Sequence, residues 1–308
     1  MKSHAIGHFP QVRFSYGRKW LFNPILKQRL ANRPEERVRL QFVDHLIHQT
    51  NISTNRIGFE APVEAAGSEH KLRADLIIYN RALQPDSVVE CKSESIRLTG
   101  KTAQQAARYN QSLQAEYVMI TNGLDDFWYR LSGGTINSIE APPYDIQPRG
   151  DLRAQPAYWS DRGFLSASLP DDLAVSASRF LDSLFTPYDQ QAQIRYLTPP
   201  KKLTGNTLDH YYAISAGPGN VSIAISLVAA DQNETLFSAI LNRNGKLAGL
   251  FQFRLTDIQL PPKRRTGRVI LPGASRDVAI PGFLEEVIFE NTFDTPESLQ
   301  NNMIKFFD

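Results

Sequence analysis

Two carboxylates and an ammonium group stand within a short stretch of this chain. Arg73-Ala74-Asp75 opens one apolar run, and Val88-Val89-Glu90-Cys91-Lys92 forms another. Between them lies a polar turn with Gln84, Pro85 and Asp86, so the pattern predicts a β-hairpin. Side chains alternate along a strand, which puts Asp75, Ile77 and Tyr79 on one face, and likewise Val88, Glu90 and Lys92. The three charges then converge at one end of the hairpin, on strands otherwise built from Leu, Ile and Val. A charge withdrawn from water is costly unless it is paired or bound to a metal. The plainer reading is a hairpin with polar strand ends. The sharper one is a site for a hard divalent cation, with carboxylate oxygens as ligands and a lysine beside them. Cys91 falls on the other side of its strand and reads as core rather than nucleophile.

The neighbouring elements must hold these residues in position. A first helix is expected to begin around 32–34, where Pro34 suits the first helical position and Glu35 and Glu36 suit the helix dipole. Val38, Phe42 and Leu46 give it an apolar stripe to about residue 49. Glu35 is in phase with Val38 and Phe42, which points a carboxylate inward; simple dipole complementation is the alternative. His45 and His48 are too few, and too surrounded by apolar residues, to argue for zinc. A strand is expected over 56–63, then the hairpin, then a loop with Arg97 and Lys101. A second helix is predicted over 102–114, with Ala103, Ala106, Ala107 and Leu113 as its packing face. Gln105 and Tyr109 stand one turn apart on that helix and share a face. A buried strand over 116–121 closes at Asn122-Gly123, and another is expected over 126–131.

This order of elements, with these residues, resembles the PD-(D/E)XK nuclease superfamily. Within it, the likeness is to the N-terminal nuclease domain of type I restriction enzyme R subunits and its stand-alone bacterial relatives. The pieces that carry it are Pro34-Glu35-Glu36 with Arg39, Arg73-Ala74-Asp75, Val89-Glu90-Cys91-Lys92, Gln105-Ala106-Ala107-Arg108-Tyr109-Asn110 and Thr121-Asn122-Gly123. The resemblance implies a three-layer α/β/α restriction-endonuclease-like fold with a mixed sheet. It implies that Asp75 and Glu90 hold Mg²⁺, for which Mn²⁺ can substitute, with the backbone carbonyl of Cys91 and with Glu35 from the first helix. Lys92 would orient the attacking water or stabilise developing charge, and Gln105 and Tyr109 would support the site or touch nucleic acid. The function implied is hydrolysis of phosphodiester bonds, of DNA, in defence or repair. The alternative is a non-catalytic nucleic-acid-binding or assembly protein that keeps the nuclease fold. Two departures stand out: Ala74 where the name-giving proline can stand, and Ser93-Glu94 after Lys92, with Glu94 in phase to pair with that lysine.

The remainder of the chain sets the context. One cysteine among 308 residues excludes an internal disulfide framework and suits a reducing cytoplasm. No apolar run is long enough to span a membrane. The net charge of +2 hides an asymmetry: nine Lys/Arg lie in residues 1–39 against Glu35 and Glu36 alone, interleaved with Phe9, Phe14, Tyr16, Trp20 and Phe22. Residues 1–30 therefore read as a basic, aromatic arm, either binding a phosphate backbone and bases or simply solvated. A nuclease-like domain is expected over 31–140, a proline-rich linker over 141–160 and a mainly antiparallel β domain over 161–308. In that last region the pattern predicts a helix over 171–185 and a hairpin across Arg243-Asn244-Gly245. Short strands are expected over 268–271 and 286–290, and a last helix over 296–307. Lys263-Arg264-Arg265 with Arg268 reads as a solvated basic turn or a backbone contact. This region reads as a substrate-selecting module, as a docking module for a protein partner or a second copy, or as a regulatory ligand pocket, and the sequence leaves the three open. No Gly-x-x-x-x-Gly-Lys-Ser/Thr phosphate loop occurs, so no translocating motor is expected on this chain.

Overall fold

Every position from Val38 to Leu46 is buried in α1 (Pro34–Gln49), the helix around which the first half of the chain condenses. The computed structural model describes residues 1–63, 72–99, 110, 113–148, 150–186, 193–199, 208–217, 219–290 and 296–307. The chain divides into two compact units, Met1–Arg149 and Gly150–Asp308. Among the described residues, no helix is long and apolar enough to cross a membrane.

In the first unit, residues 1–30 do not form an arm. They fold into an antiparallel sheet of β1 (Gln11–Ser15), β2 (Arg18–Asn23) and β3 (Gln28–Leu30). Val12 and Leu21 from this sheet join the same apolar cluster as Val38, Phe42 and Leu46 of α1. Val12, between Gln11 and Arg13, and Leu21, within Trp20-Leu21-Phe22, supply that anchor, and the surrounding cations hide it when charge is weighed alone. A six-stranded mixed sheet follows in sequence order: β4 (Ile57–Val63), β5 (Leu72–Tyr79), β6 (Pro85–Cys91), β7 (Tyr117–Thr121), β8 (Asp126–Ser132) and β9 (Thr135–Ile139). Among the described residues of this sheet, only β6 and β7 pair in parallel. A parallel pair needs a long crossover, and residues 92–116 provide it. The helix expected over 102–114 falls in that crossover and lies mostly outside the described residues; Asn110 and Leu113 are helical. Asn110 ties its side-chain amide to both the N–H and the C=O of Ala115, at 2.8 and 2.7 Å, just before β7 starts.

The turn after β7 packs on α1. Asn122 Oδ1 accepts from the N–H groups of Leu124 and Asp125, and Gly123 takes a φ of +81°. A Cβ at Gly123 would lie 3.0 Å from Gln41 Oε1 and 3.3 Å from Val38 Cγ2, so this turn requires glycine both for its dihedral and for the close approach.

The second unit is a seven-stranded antiparallel sheet, again in sequence order: β10 (Gln193–Leu197), β11 (His210–Gly217), β12 (Val221–Ala229), β13 (Thr235–Arg243), β14 (Lys246–Arg254), β15 (Thr266–Leu271) and β16 (Ala274–Ala279). The hairpin at Asn244-Gly245 forms as the sequence predicts. So do the helix α3 (Asp171–Phe185), which follows the short α2 (Pro156–Asp161), and the last helix α5 (Pro296–Phe307). One expectation fails. Residues 286–290 belong not to a strand but to α4 (Gly282–Glu290), whose Leu284 and Ile288 stand one turn apart and are both buried. The β-branched run there suggested a strand; the spacing of its buried residues is helical. Glu285 of α4 pairs with Arg265, and Arg268 lies 3.2 Å from Asp277, so half of the basic loop is neutralised within the fold.

The linker expectation also contracts. Tyr144 packs edge-on against Trp128, and Gln147 N–H donates to Gln49 O at 2.8 Å, which ties this stretch to the first unit. Asp151–Ala154 already forms a 3₁₀ turn and leads into α2, whose Trp159 is fully buried.

Candidate active site

Strand pairing brings the charged residues of β4, β5 and β6 into one row. The β5–β6 register pairs Leu76 with Val89, so the next position sets Asp75 opposite Glu90. On the other side, β4 pairs Phe59 with Leu76 and Ala61 with Ala74, which leaves Glu60 facing Asp75. Glu60 takes a φ of +48°, interrupts the ladder there and turns its carboxylate toward α1.

Asp75 is held from two directions. Its Oδ1 accepts from Arg39 Nη2 at 2.5 Å, and its Oδ2 accepts from the backbone N–H of Cys91 at 2.7 Å. Arg39 donates through Nη1 to Glu36 Oε1 at 2.9 Å and to Glu60 Oε1 at 3.0 Å, with its guanidinium 5.1 Å from the Phe59 ring centroid. Lys92 Nζ donates to Glu90 Oε1 at 2.6 Å. The Cys91 side chain joins the apolar cluster of α1, as its strand phase requires.

The electrostatics follow from burial. Withdrawal from water pushes the carboxyls of Asp75, Glu90 and Glu36 above their ordinary pKa values. Asp75 raises Glu90 further, while the Arg39 guanidinium pulls Asp75 and Glu36 back and Lys92 pulls back Glu90. Burial works against the charge on Arg39, but Asp75 and Glu36 outweigh it and hold the guanidinium above its ordinary value. Burial drives the Cys91 thiol well up, which makes it a poor nucleophile. Four carboxylates thus gather around Arg39 and Lys92, and Glu36 Oε2 is buried with no hydrogen-bond partner. Among the described residues, no three His, Cys, Asp or Glu side chains form a ready-made metal shell.

Of the residues expected from the sequence, the structure brings together Asp75, Glu90, Lys92 and the Cys91 backbone. Glu35 is not among them: it is exposed, and Glu36 is the α1 carboxylate that reaches the cluster. The apolar stripe could not separate the two, because α1 is buried almost all round; the partner at i+3, Arg39, selects Glu36. Gln105 and Tyr109 lie outside the described residues. Sequence reasoning assigned no role to Arg39, though its spacing from Glu36 was a usable signal. Glu60 carried no signal in the sequence, since its place beside Asp75 comes from strand register alone.

Residues 34–143 match the family model of the type I restriction enzyme R protein N terminus. The match begins at the first residue of α1 and runs just past β9, so it takes in Glu36, Arg39, Glu60, Asp75, Glu90 and Lys92. No curated protein matches the chain.

Proposed function

We propose, from the family match over residues 34–143 and from the cluster around Asp75, that this chain is a metal-dependent nuclease acting on DNA in a defence or repair setting. The observation that carries the reading is Asp75 opposite Glu90 on adjacent strands, with Lys92 bonded to Glu90 at their end. The donor chemistry fits Mg²⁺, which takes hard oxygen ligands and is commonly held by one or two carboxylates plus substrate phosphate. The orphaned Glu36 Oε2 supports that fit, because a buried carboxylate oxygen without a donor gains most from a cation. Asp75, Glu90 and the Cys91 carbonyl would hold the ion, with Glu36 in the part expected of Glu35. When bound, Mg²⁺ or Mn²⁺ supplies Lewis acidity toward the phosphodiester and an attacking water.

The chain's own residues do the rest. Arg39 and the Cys91 N–H fix the Asp75 carboxylate before substrate arrives, so little reorganisation is needed later. Lys92, oriented by Glu90, offers a cation where negative charge grows in the transition state. A three-layer α/β/α core fits this reading.

A second reading has its own support. Arg39 on Asp75 and Lys92 on Glu90 already balance the two carboxylates, as in a site that binds or assembles without cutting. Incubation with single- and double-stranded DNA and RNA, with and without Mn²⁺, separates the two. The nuclease reading expects Mn²⁺-dependent cleavage that Glu90→Gln abolishes. Cleavage that survives Glu90→Gln contradicts this site, and nucleic-acid binding without any cleavage favours the second reading.

A further inference from the structure

Ahead of the matched region, residues 1–33 contain seven Lys/Arg and no Asp or Glu. The three-stranded sheet sorts several of these cations. Directly opposed residues on antiparallel strands share a face, and the pairs are Arg13 with Trp20, Ser15 with Arg18, and Phe22 with both Gln11 and Arg29. Arg13, Arg18, Trp20, Phe22 and Arg29 therefore share one face, while Val12 and Leu21 on the other are buried. The Arg13 guanidinium lies 4.6 Å from the Phe22 ring centroid. Among the described residues, no carboxylate pairs with Arg18, Lys27 or Arg29.

The tip of the β1–β2 hairpin adds an independent observation. Tyr16 and Gly17 both have positive φ, 51° and 67°, as a two-residue hairpin turn demands. Such a turn favours asparagine or aspartate at the first position, and a tyrosine there is strained. Its ring does not repay that strain by packing: Tyr16 is 97% exposed. The turn would form better without it, so the ring points to a role outside the fold.

We propose that this hairpin is a docking surface for single-stranded nucleic acid, with Tyr16 and Trp20 as stacking platforms and Arg13, Arg18 and Arg29 as phosphate contacts. The inference rests on the nucleic-acid reading of the site and extends it to residues beyond the family match. An exposed ring accepts any unpaired base, while arginines track the backbone, and this combination selects single strands without selecting sequence. β3 leads within a few residues into α1, the helix that carries Glu36 and Arg39. A strand held on the hairpin is thereby linked through a short connection to the Asp75 cluster.

Fluorescence anisotropy with labelled single-stranded and duplex DNA, in EDTA to silence cleavage, tests the surface. Tyr16→Asn suits the turn, so its Tm should equal or exceed the parent's while single-strand affinity falls roughly five- to a hundredfold, the loss of one stacked base. Arg18→Ala should reduce the slope of log K against log salt by about 0.7, one phosphate contact. Two variants that bind with the parent's affinity and slope would overturn the surface, as would a parent that prefers duplex. If Mn²⁺-dependent cleavage persists alongside that result, only the docking surface fails. Binding through Tyr16 with no cleavage in Mn²⁺ keeps the surface and rejects the nuclease reading instead.

Discussion

At Arg39 a single guanidinium balances Glu36, Glu60 and Asp75, and its side chain is only 9% exposed. Arg39→Met keeps the aliphatic stem but leaves buried carboxylates unpaired. Breaking a buried pair in this way costs about 3–5 kcal/mol. The metal-free variant should therefore melt well below the parent, and Mn²⁺ should recover more of the loss than it adds to the parent. Thermal melts with and without Mn²⁺ check this; equal Mn²⁺ shifts in both proteins would separate Arg39 from the metal. Glu60→Gly makes the opposite case, since glycine relieves a left-handed backbone that costs a residue with a side chain about 1–2 kcal/mol. Its metal-free Tm should hold near the parent's despite the lost ion pair, and a large fall would mean that the ion pair outweighs the strain. Asp75, Glu90 and Lys92 were legible in the sequence because charges at fixed phase in short apolar strands must be compensated by a partner or a metal. Glu36 was hidden behind its neighbour Glu35, and Glu60 was visible only once β4 and β5 were in register.

The elements that were legible are those whose periodicity and punctuation agree. Pro34 at the start of α1 and Asn244-Gly245 between β13 and β14 mark boundaries that the structure keeps. Those misread had conflicting signals: charge hid the β1–β3 sheet, and β-branched residues hid α4. Within α1, His45 is fully buried beside Phe42 and His8, with Tyr144 Oη 3.4 Å from its Nε2, and His4 and Asp44 are also close enough to influence it. Burial, helped by His8 and His4, pushes its pKa from 6.5 down to about 3. A histidine held neutral in the fold stabilises fully above its unfolded pKa and loses that contribution as pH falls toward the folded value. Between the two, it should cost the protein about 1.4 kcal/mol per pH unit. Urea unfolding of parent and His45→Gln at about pH 7 and about pH 5 should show a shallower loss in the variant by about one proton's worth. Equal slopes would mean that His45 takes up its proton without opening α1.

Across the whole molecule, the family match over residues 34–143 falls within one compact unit, while the other unit is an antiparallel sheet with its own helices. Gln147 is tied to Gln49, and Trp159 is buried, so the weak point of the backbone should be narrower than a proline count suggests. Limited proteolysis should cut first around 148–151, where Pro148 and Gly150 are exposed. A first cut inside α1 or β5 would contradict the two-unit organisation. Whether Asp75, Glu90 and Lys92 cut phosphodiesters with a metal, as proposed, is decided by single-turnover DNA cleavage with Lys92→Ala in Mn²⁺. Mn²⁺ binding should stay close to the parent's while cleavage slows about 10²- to 10³-fold, the loss of one preorganised electrostatic donor. A Lys92→Ala protein that cuts as fast as its parent would contradict the proposal.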